Sequence, residues 1–361
     1  MYRNEMDSSS DLPFSFSGAS LRGAKLPNIS LVGADFSGAE FVNCDINGTD
    51  LTGANLNTAN FNACSADKLN LTNADLSNAR VEHTDLSSAT IVGADCSDSV
   101  FYEVDFGKID MAGVSFENAT LIECKLNNEQ LKKTNLKGSH LLSMDFGNWD
   151  FSGWDMSGVR SELGDFQSAI LISTNLKNSK LSLARFDNAI LDGANLSGAD
   201  LHGTDFTSAS IKDAVVNGAN LRSTMFLKTD CSGVDFSGAD LNDVEFTRAN
   251  LTGAKLSRKI LDTAVINDCI MREVNLSGSM LEDMSLVGMD FTSAQLTHTD
   301  FEGSDLSFCI LRDANLTGAN FTNTILEGVD FTGANCTGIR LGGADLTGAI
   351  GLQDNDIGLL I

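Results

Sequence analysis

No run of 18 apolar residues occurs anywhere in the 361-residue chain, so no membrane-spanning helix is expected. The N-terminus lacks the basic-then-apolar layout of a secretory signal, and the folded chain is expected to be soluble. Positive charge is scarce: 24 Lys and Arg stand against 49 Asp and Glu, a net charge of −25. That imbalance disfavours nucleic acid and anionic membrane as direct partners and favours solubility or a basic protein surface. Proline is nearly absent, with 2 residues, and Trp and Tyr contribute 2 each against 21 Phe. What fills the chain instead is a monotonous return of Leu, Ala, Asn, Asp, Ser and Thr, punctuated by 33 Gly. This bias points to an internal repeat rather than to the two ordinary domains that length alone suggests.

Stepping by five from Leu196 in ANLSGADLHGTDF, every position from Phe16 to Leu346 falls on one slot, 67 in all without a break in phase. Of these centres 53 are Leu or Phe, and Ser161 alone is polar. Two residues earlier stands a small residue, Ala in 28 cases; one earlier, Asp or Asn; two later, Gly, which uses 27 of the 33 glycines. A period of five matches neither the helix, at about 3.6, nor the strand, at about 2. A coil that turns a corner at every unit does match. The small residue and the centre then point inward, the other three positions face solvent, and Gly supplies the positive φ of a tight corner.

The unit A-(D/N)-(L/F)-(S/T)-G resembles the pentapeptide-repeat family, and the resemblance covers residues 14 to about 350. It implies an all-β fold, a right-handed quadrilateral β-helix with four units per coil. Roughly 17 coils stacked at about 4.8 Å would give a rod about 80 Å long. The column Phe146, Phe166, Phe186, Phe206, Phe226 and Phe246, spaced by twenty, fits that turn length. Residues 1–13 read as a flexible segment, 14–349 as the repeat helix, and 350–361 as a C-terminal cap or homodimerisation tail.

Residues that look chemical are mostly products of the repeat. Cys44, Cys64, Cys124, Cys269 and Cys309 take the small inward slot, while Cys96, Cys231 and Cys336 are centres. Buried, inert thiols are expected; Cys44 and Cys64, twenty apart, are stacked neighbours at which an oxidised pair is geometrically conceivable. His83, His140, His202 and His298 lie outward on scattered coils with no second ligand or nucleophile at a useful spacing. Of the 49 carboxylates, 24 fall on the slot before a centre, so paired acids carry no catalytic message. No catalytic residue, metal site or cofactor is expected.

Two departures stand out. Trp149 and Trp154 occupy the small slot of consecutive units in DFGNWDFSGWDMSG, which predicts either a widened, bulged coil or a functional surface. Nearby, Tyr102, Ile122, Leu142, Leu163 and Leu183 take outward positions where Ser, Thr, Asn and Gly are usual, and His140, Arg160 and Lys180 replace the usual acid. An apolar stripe edged by positive charge on an acidic chain reads as a docking surface for a protein partner. A second departure, at 258–284, puts Lys259 inward and Ile260, Val265 and Ile270 outward, and reads as a minor interface or local drift. The expected function is a non-enzymatic, protein-binding rod. The resemblance implies two roles, both bacterial: an effector delivered into host cells, or an acidic rod that imitates DNA, binds DNA gyrase or topoisomerase IV and confers fluoroquinolone resistance. The corresponding locations are the bacterial cytoplasm or, after secretion, a host cell.

Overall fold

Each letter of the five-residue unit has a physical role in a corner. At Phe36–Ala39 the N–H of Ala39 donates to the carbonyl of Phe36 at 2.9 Å, and Gly38 sits at φ 67°, the signature of a type II turn. Asp35, just before the centre, accepts the N–H of Ser37 on Oδ1 at 3.0 Å, a side chain substituting for backbone in the turn. A hydroxyl after the centre reinforces this, as where Thr52 Oγ1 donates to Asp50 Oδ1 at 2.6 Å. One coil further on, an Asn in the acid's column donates to it, Asn70 Nδ2 to Asp50 Oδ1 at 3.0 Å and Asn220 Nδ2 to Asp200 Oδ1 at 2.9 Å. Mixing Asp with Asn down a column therefore converts repulsion between stacked carboxylates into hydrogen bonds.

The computed structural model describes residues 14–256, 261 and 263–353. The chain divides into two units, Met1–Met144 and Asp145–Ile361. In unit 1, β1 (Glu40–Val42), β2 (Asn60–Asn62), β3 (Arg80–Glu82), β4 (Val100–Tyr102), β5 (Thr120–Ile122) and β6 (His140–Leu142) form one parallel sheet in sequence order. The other sides of its coils are joined by single parallel bridges such as Asp50↔Asn70. Among the described residues of unit 2 such bridges run from Asp145↔Asp165 to Asp330↔Ile350. Each unit is thus a parallel β-solenoid whose turn takes twenty residues, as the sequence predicts.

Inside unit 2 the phenylalanines of the predicted column are fully buried and stack face to face, with centroids 5.0 Å apart at Phe146–Phe166 and 4.7 Å at Phe166–Phe186. The same geometry continues to Phe246 through Phe206 and Phe226. Each ring covers the next at the coil spacing, so dispersion and burial act along the whole column.

One coil of unit 1 departs from the expected corners. Between the centres Leu126 and Leu131 the chain forms a short helix, α1 (Asn128–Leu131). Glu129 occupies the slot that should point inward, and a carboxylate has no partner in an apolar interior; it is exposed instead. A capping box closes the turn: the Asn127 side chain accepts the Gln130 N–H at 3.1 Å, and the Gln130 side chain accepts the Asn127 N–H at 2.9 Å. Leu131 still enters the core at 0% exposure, and Gln130 Nε2 donates to the carbonyls of Phe106 and Ile109. The count of twenty survives while one side of the coil is rebuilt. Among the described residues no helix is long and apolar enough to cross a membrane. Residues 1–13, Lys259, Ile260 and most of the proposed tail, 354–361, lie outside the described residues.

Candidate docking surfaces

In unit 1 the corner after each of β1–β6 is opened, so the residue following the centre belongs to the strand. Tyr102 pairs in register with Ile122, and Ile122 with Leu142. All three are half-buried on the outer face of the sheet, one strand spacing apart, about 4.8 Å. Val100, which sequence reasoning passed over, joins them from the neighbouring outward row of β4, where Thr120 and His140 follow in register. The inward residues beneath, Phe101, Leu121 and Leu141, are fully buried.

The rim of this ladder carries both signs: Arg80, in register with Val100, is ion-paired with Glu82, and His140 ends the neighbouring row on β6. Glu82 stands in register before Tyr102, and Glu103 and Glu123 occupy the corners beside Tyr102 and Ile122. His83 Nδ1 lies 3.1 Å from Glu103 Oε2, and its ring meets Tyr102 edge-on at 5.2 Å. A hydrogen bond with the Glu103 carboxylate pushes the Tyr102 phenol above its usual range; the same bond, with help from His83, holds Glu103 below the usual carboxylate range. Acids join the expected cation His140 on this face because corner residues, not only the residue before each centre, border the sheet.

In unit 2, Leu163 and Leu183 sit at successive corners, with 72% and 52% of their surface exposed. Both backbones are left-handed, φ 61° and 60°. Arg160 and Lys180 are paired across one bridge on the side that leads into those corners. Arg160 is ion-paired with Glu162 at 3.0 Å, and Arg185, on the following side, with Asp165 and Asp187 at 3.2 and 3.3 Å.

Trp149 and Trp154 do not bulge the coil. Their N–H groups close ordinary corners, to Phe146 at 3.1 Å and Phe151 at 3.0 Å, and their carbonyls accept from Ile170 and Asn175 in the next coil at 2.8 and 2.9 Å. The indoles are half-buried and flank Phe151, with centroids 5.8 and 5.0 Å away. The backbone keeps its path because the large rings turn partly outward instead of widening the interior. Val265 and Ile270, by contrast, are 41% and 47% exposed on neighbouring sides of their coil and form no common row.

All eight cysteines are buried and free. Burial pushes the thiols of Cys64 and Cys124 up to about 11 and those of Cys269 and Cys309 to about 12. His83, His202 and His298 are exposed on separate coils, and among the described residues no group of three or more His, Cys, Asp or Glu is placed to hold a metal ion. One depression went unread in the sequence. Where α1 replaces a corner, Lys108, Ile109, Met111, Asn128 and Lys133 line a shallow cleft of about 590 Å³, bridged at its edge by the Lys133–Asp110 ion pair at 3.1 Å. The missing small residue at 129 and the missing Gly in NNEQLKK were its signal.

A parallel solenoid built from five-residue corners, displaying rows of outward side chains and a closed interior, defines a class of repeat scaffolds. The pentapeptide-repeat model matches in 8 copies, over 15–53, 54–91, 82–118, 169–207, 205–243, 229–268, 269–307 and 309–348. The chain therefore belongs to the pentapeptide-repeat family. It is similar to HetL, a pentapeptide repeat protein involved in heterocyst differentiation regulation in the cyanobacterium Nostoc sp. strain PCC 7120. The identity is 26%, over 60% of this chain and 90% of that one, with a TM-score of 0.24. A pentapeptide repeat protein of the Arabidopsis thaliana thylakoid lumen is 35% identical over 29% of this chain and 70% of its own, with a TM-score of 0.23. A trypsin-treated form of QnrB1, a plasmid-mediated fluoroquinolone resistance protein, is 21% identical over 68% and 95%, with a TM-score of 0.19. No curated protein matches the chain.

Proposed function

We propose that this chain is a non-enzymatic interaction protein that docks a partner on the β4–β6 face of unit 1. The observation that carries the reading is the in-register ladder Tyr102, Ile122 and Leu142. The coil interior is already filled by Phe101, Leu121 and Leu141, so a second apolar row outside adds little to folding and loses its remaining contact with water when a partner covers it. Glu103 and Glu123 at the corners beside it favour a partner whose apolar anchors are edged by basic groups. Such a surface works through buried area and a few desolvated anchors rather than through a reacting group. We place the protein in the bacterial cytoplasm or, as a delivered effector, in a host cell.

The second reading is the acidic binder of DNA gyrase or topoisomerase IV, favoured by the net charge of −25. It ranks below the first because a DNA mimic needs an unbroken acidic side. The outward column Asp165, Arg185, Asp205, Met225, Glu245 and Val265 of unit 2 mixes acid with cation and hydrocarbon. One experiment weighs both. Wild type and the triple variant Tyr102→Thr/Ile122→Thr/Leu142→Thr are used to capture proteins from bacterial and host lysates, with purified gyrase assayed alongside under fluoroquinolone. Thr keeps β-propensity on the strand, so circular dichroism and the thermal midpoint should stay close to wild type while capture is lost. Equal capture by the variant would remove the ladder from the interface. Protection of gyrase by both proteins would bring the second reading forward.

A further inference from the structure

Among the described residues thirty-four non-glycine residues hold a left-handed backbone, and nearly all are Asn, Asp, Ser or other polar types; only Leu163, Leu183 and Phe308 of these are large and apolar. A bulky side chain in that region is disfavoured because its Cβ crowds the backbone, whereas Asn or Gly takes the position with little cost. Leu163 and Leu183 are also among the most exposed apolar side chains of unit 2, at 72% and 52%. Each residue is therefore unfavourable twice, in backbone conformation and in hydration, with no contribution to the interior. That pattern marks a position kept for something outside the fold.

The two corners are consecutive in the stack, Leu163 N–H donating to Ser182 and Leu183 N–H to His202. The surroundings are basic. Residues 159–187 carry Arg160, Lys177, Lys180 and Arg185 against Glu162, Asp165 and Asp187, in a chain whose net charge is −25. Lys177 and Lys180 are exposed, and among the described residues neither stands in an ion pair, although acids abound elsewhere on the chain. Arg160 and Lys180 are bridged neighbours beside the leucines, so cation and hydrocarbon repeat together at one coil spacing.

We propose that the Leu163/Leu183 corner of unit 2 is a docking site for an acidic protein segment that carries leucine or another large apolar residue among its carboxylates. The apolar residue of the segment covers the leucine pair, and its carboxylates meet Lys180, Lys177 and Arg160 at the rim. The proposal rests on the reading of the chain as a protein-binding solenoid, but on a different surface and a partner of opposite charge. Two exposed leucines argue against a bare polyanion such as nucleic acid, which offers phosphate and no aliphatic side chain to bury.

The test uses the full chain and three fluorescent twelve-residue peptides, alternating Leu/Glu, Leu/Lys and Ser/Glu, with anisotropy as the readout. The Leu/Glu peptide should bind at least tenfold tighter than either of the others. Leu163→Asn/Leu183→Asn should lose that preference while its thermal midpoint stays level or rises, since Asn suits both corners. Lys177→Glu/Lys180→Glu should weaken the Leu/Glu peptide and favour Leu/Lys. The Tyr102/Ile122/Leu142 triple variant should bind the Leu/Glu peptide like wild type, so failure on one surface is distinguishable from failure on the other. Equal binding of all three peptides, or undiminished Leu/Glu binding by the Asn variant, overturns the proposal. So does single-stranded DNA that competes in a leucine-independent way, which would make the patch a polyanion site. A wild-type dimer that the Asn variant converts to monomer in light scattering overturns it too, by making the occupant a second copy.

Discussion

At the residue scale the repeat is a set of conformational demands, and the informative residues are those that defy them. Asn, Asp and Gly answer the positive φ of the corner; Leu163 and Leu183 do not. Leu163→Asn and Leu183→Asn should each stabilise the protein by roughly 0.5–1 kcal/mol, because the left-handed strain is relieved and exposed hydrocarbon removed. Denaturant unfolding reads this directly, and a loss of stability would mean that the leucines pack against something native. The cysteines obey the repeat instead. With thiols driven to about 12 at Cys269 and Cys309 by burial, the reactive thiolate is absent at neutral pH. A maleimide probe at pH 7.5 should leave these two unlabelled until denaturant unfolds the chain, as peptide mass mapping would report. Fast native labelling of Cys269 or Cys309 would contradict their placement.

Elements here are columns rather than strands in the usual sense. The stacked column Phe146 to Phe246 ties one coil to the next through rings whose centroids lie 4.7 to 5.3 Å apart. Phe186→Asp would set an unpaired carboxylate between Phe166 and Phe206, at a site with no exposure, and should cost several kcal/mol. The expected result is a lower, broadened thermal transition; an unchanged midpoint would refute the register. Asn188→Gly, at an exposed corner with φ 60°, should be close to neutral and serves as the control. The interruption at α1 shows the same logic reversed. Once Glu129 denies the coil its small inward residue, the capping box of Asn127 and Gln130 supplies the cheapest alternative turn.

For the whole molecule, charge decides how stability depends on pH, and the sign differs on the two sides of neutrality. Hydroxyl and N–H donors from Ser237, Thr332 and Thr347 hold Asp235, Asp330 and Asp345 below the usual aspartate range. A carboxyl lower in the folded than in the unfolded state contributes stability that is complete above about pH 5 and fades as pH falls through and below about 3.9. Buried thiols act in the opposite direction. Their folded values near 12 at Cys269 and Cys309 exceed the unfolded value of about 8.5. They contribute stability below that pH and lose it as pH rises above. A plateau between about pH 5 and 8, falling on both sides, is expected for the unfolding midpoint. Measurement at 1 M salt, where the screening length is about 3 Å, removes most of the general repulsion due to the net charge. A midpoint still rising as pH drops from 5 to 3 would sink this account.

The five-residue period by itself determined the fold, because every position of the unit carries a requirement that neighbours within a few residues satisfy: a small residue and a centre to fill the coil, an acid or amide to hold the turn, a Gly to make it. The same arithmetic placed Tyr102, Ile122, Leu142, Leu163 and Leu183 outside and the eight cysteines inside. Only the tertiary structure decided how those outward residues are presented. Tyr102, Ile122 and Leu142 became a strand ladder because the corners after β4–β6 open, whereas Leu163 and Leu183, one position later, stand out on closed corners. It also set Glu103 and Glu123 at the corners beside the ladder, turned the indoles of Trp149 and Trp154 partly outward over Phe151, and folded α1 into a coil whose phase looked unbroken. Each of these outcomes depends on contacts across about one coil and on which way a side chain rotates, and a five-letter pattern holds no record of either.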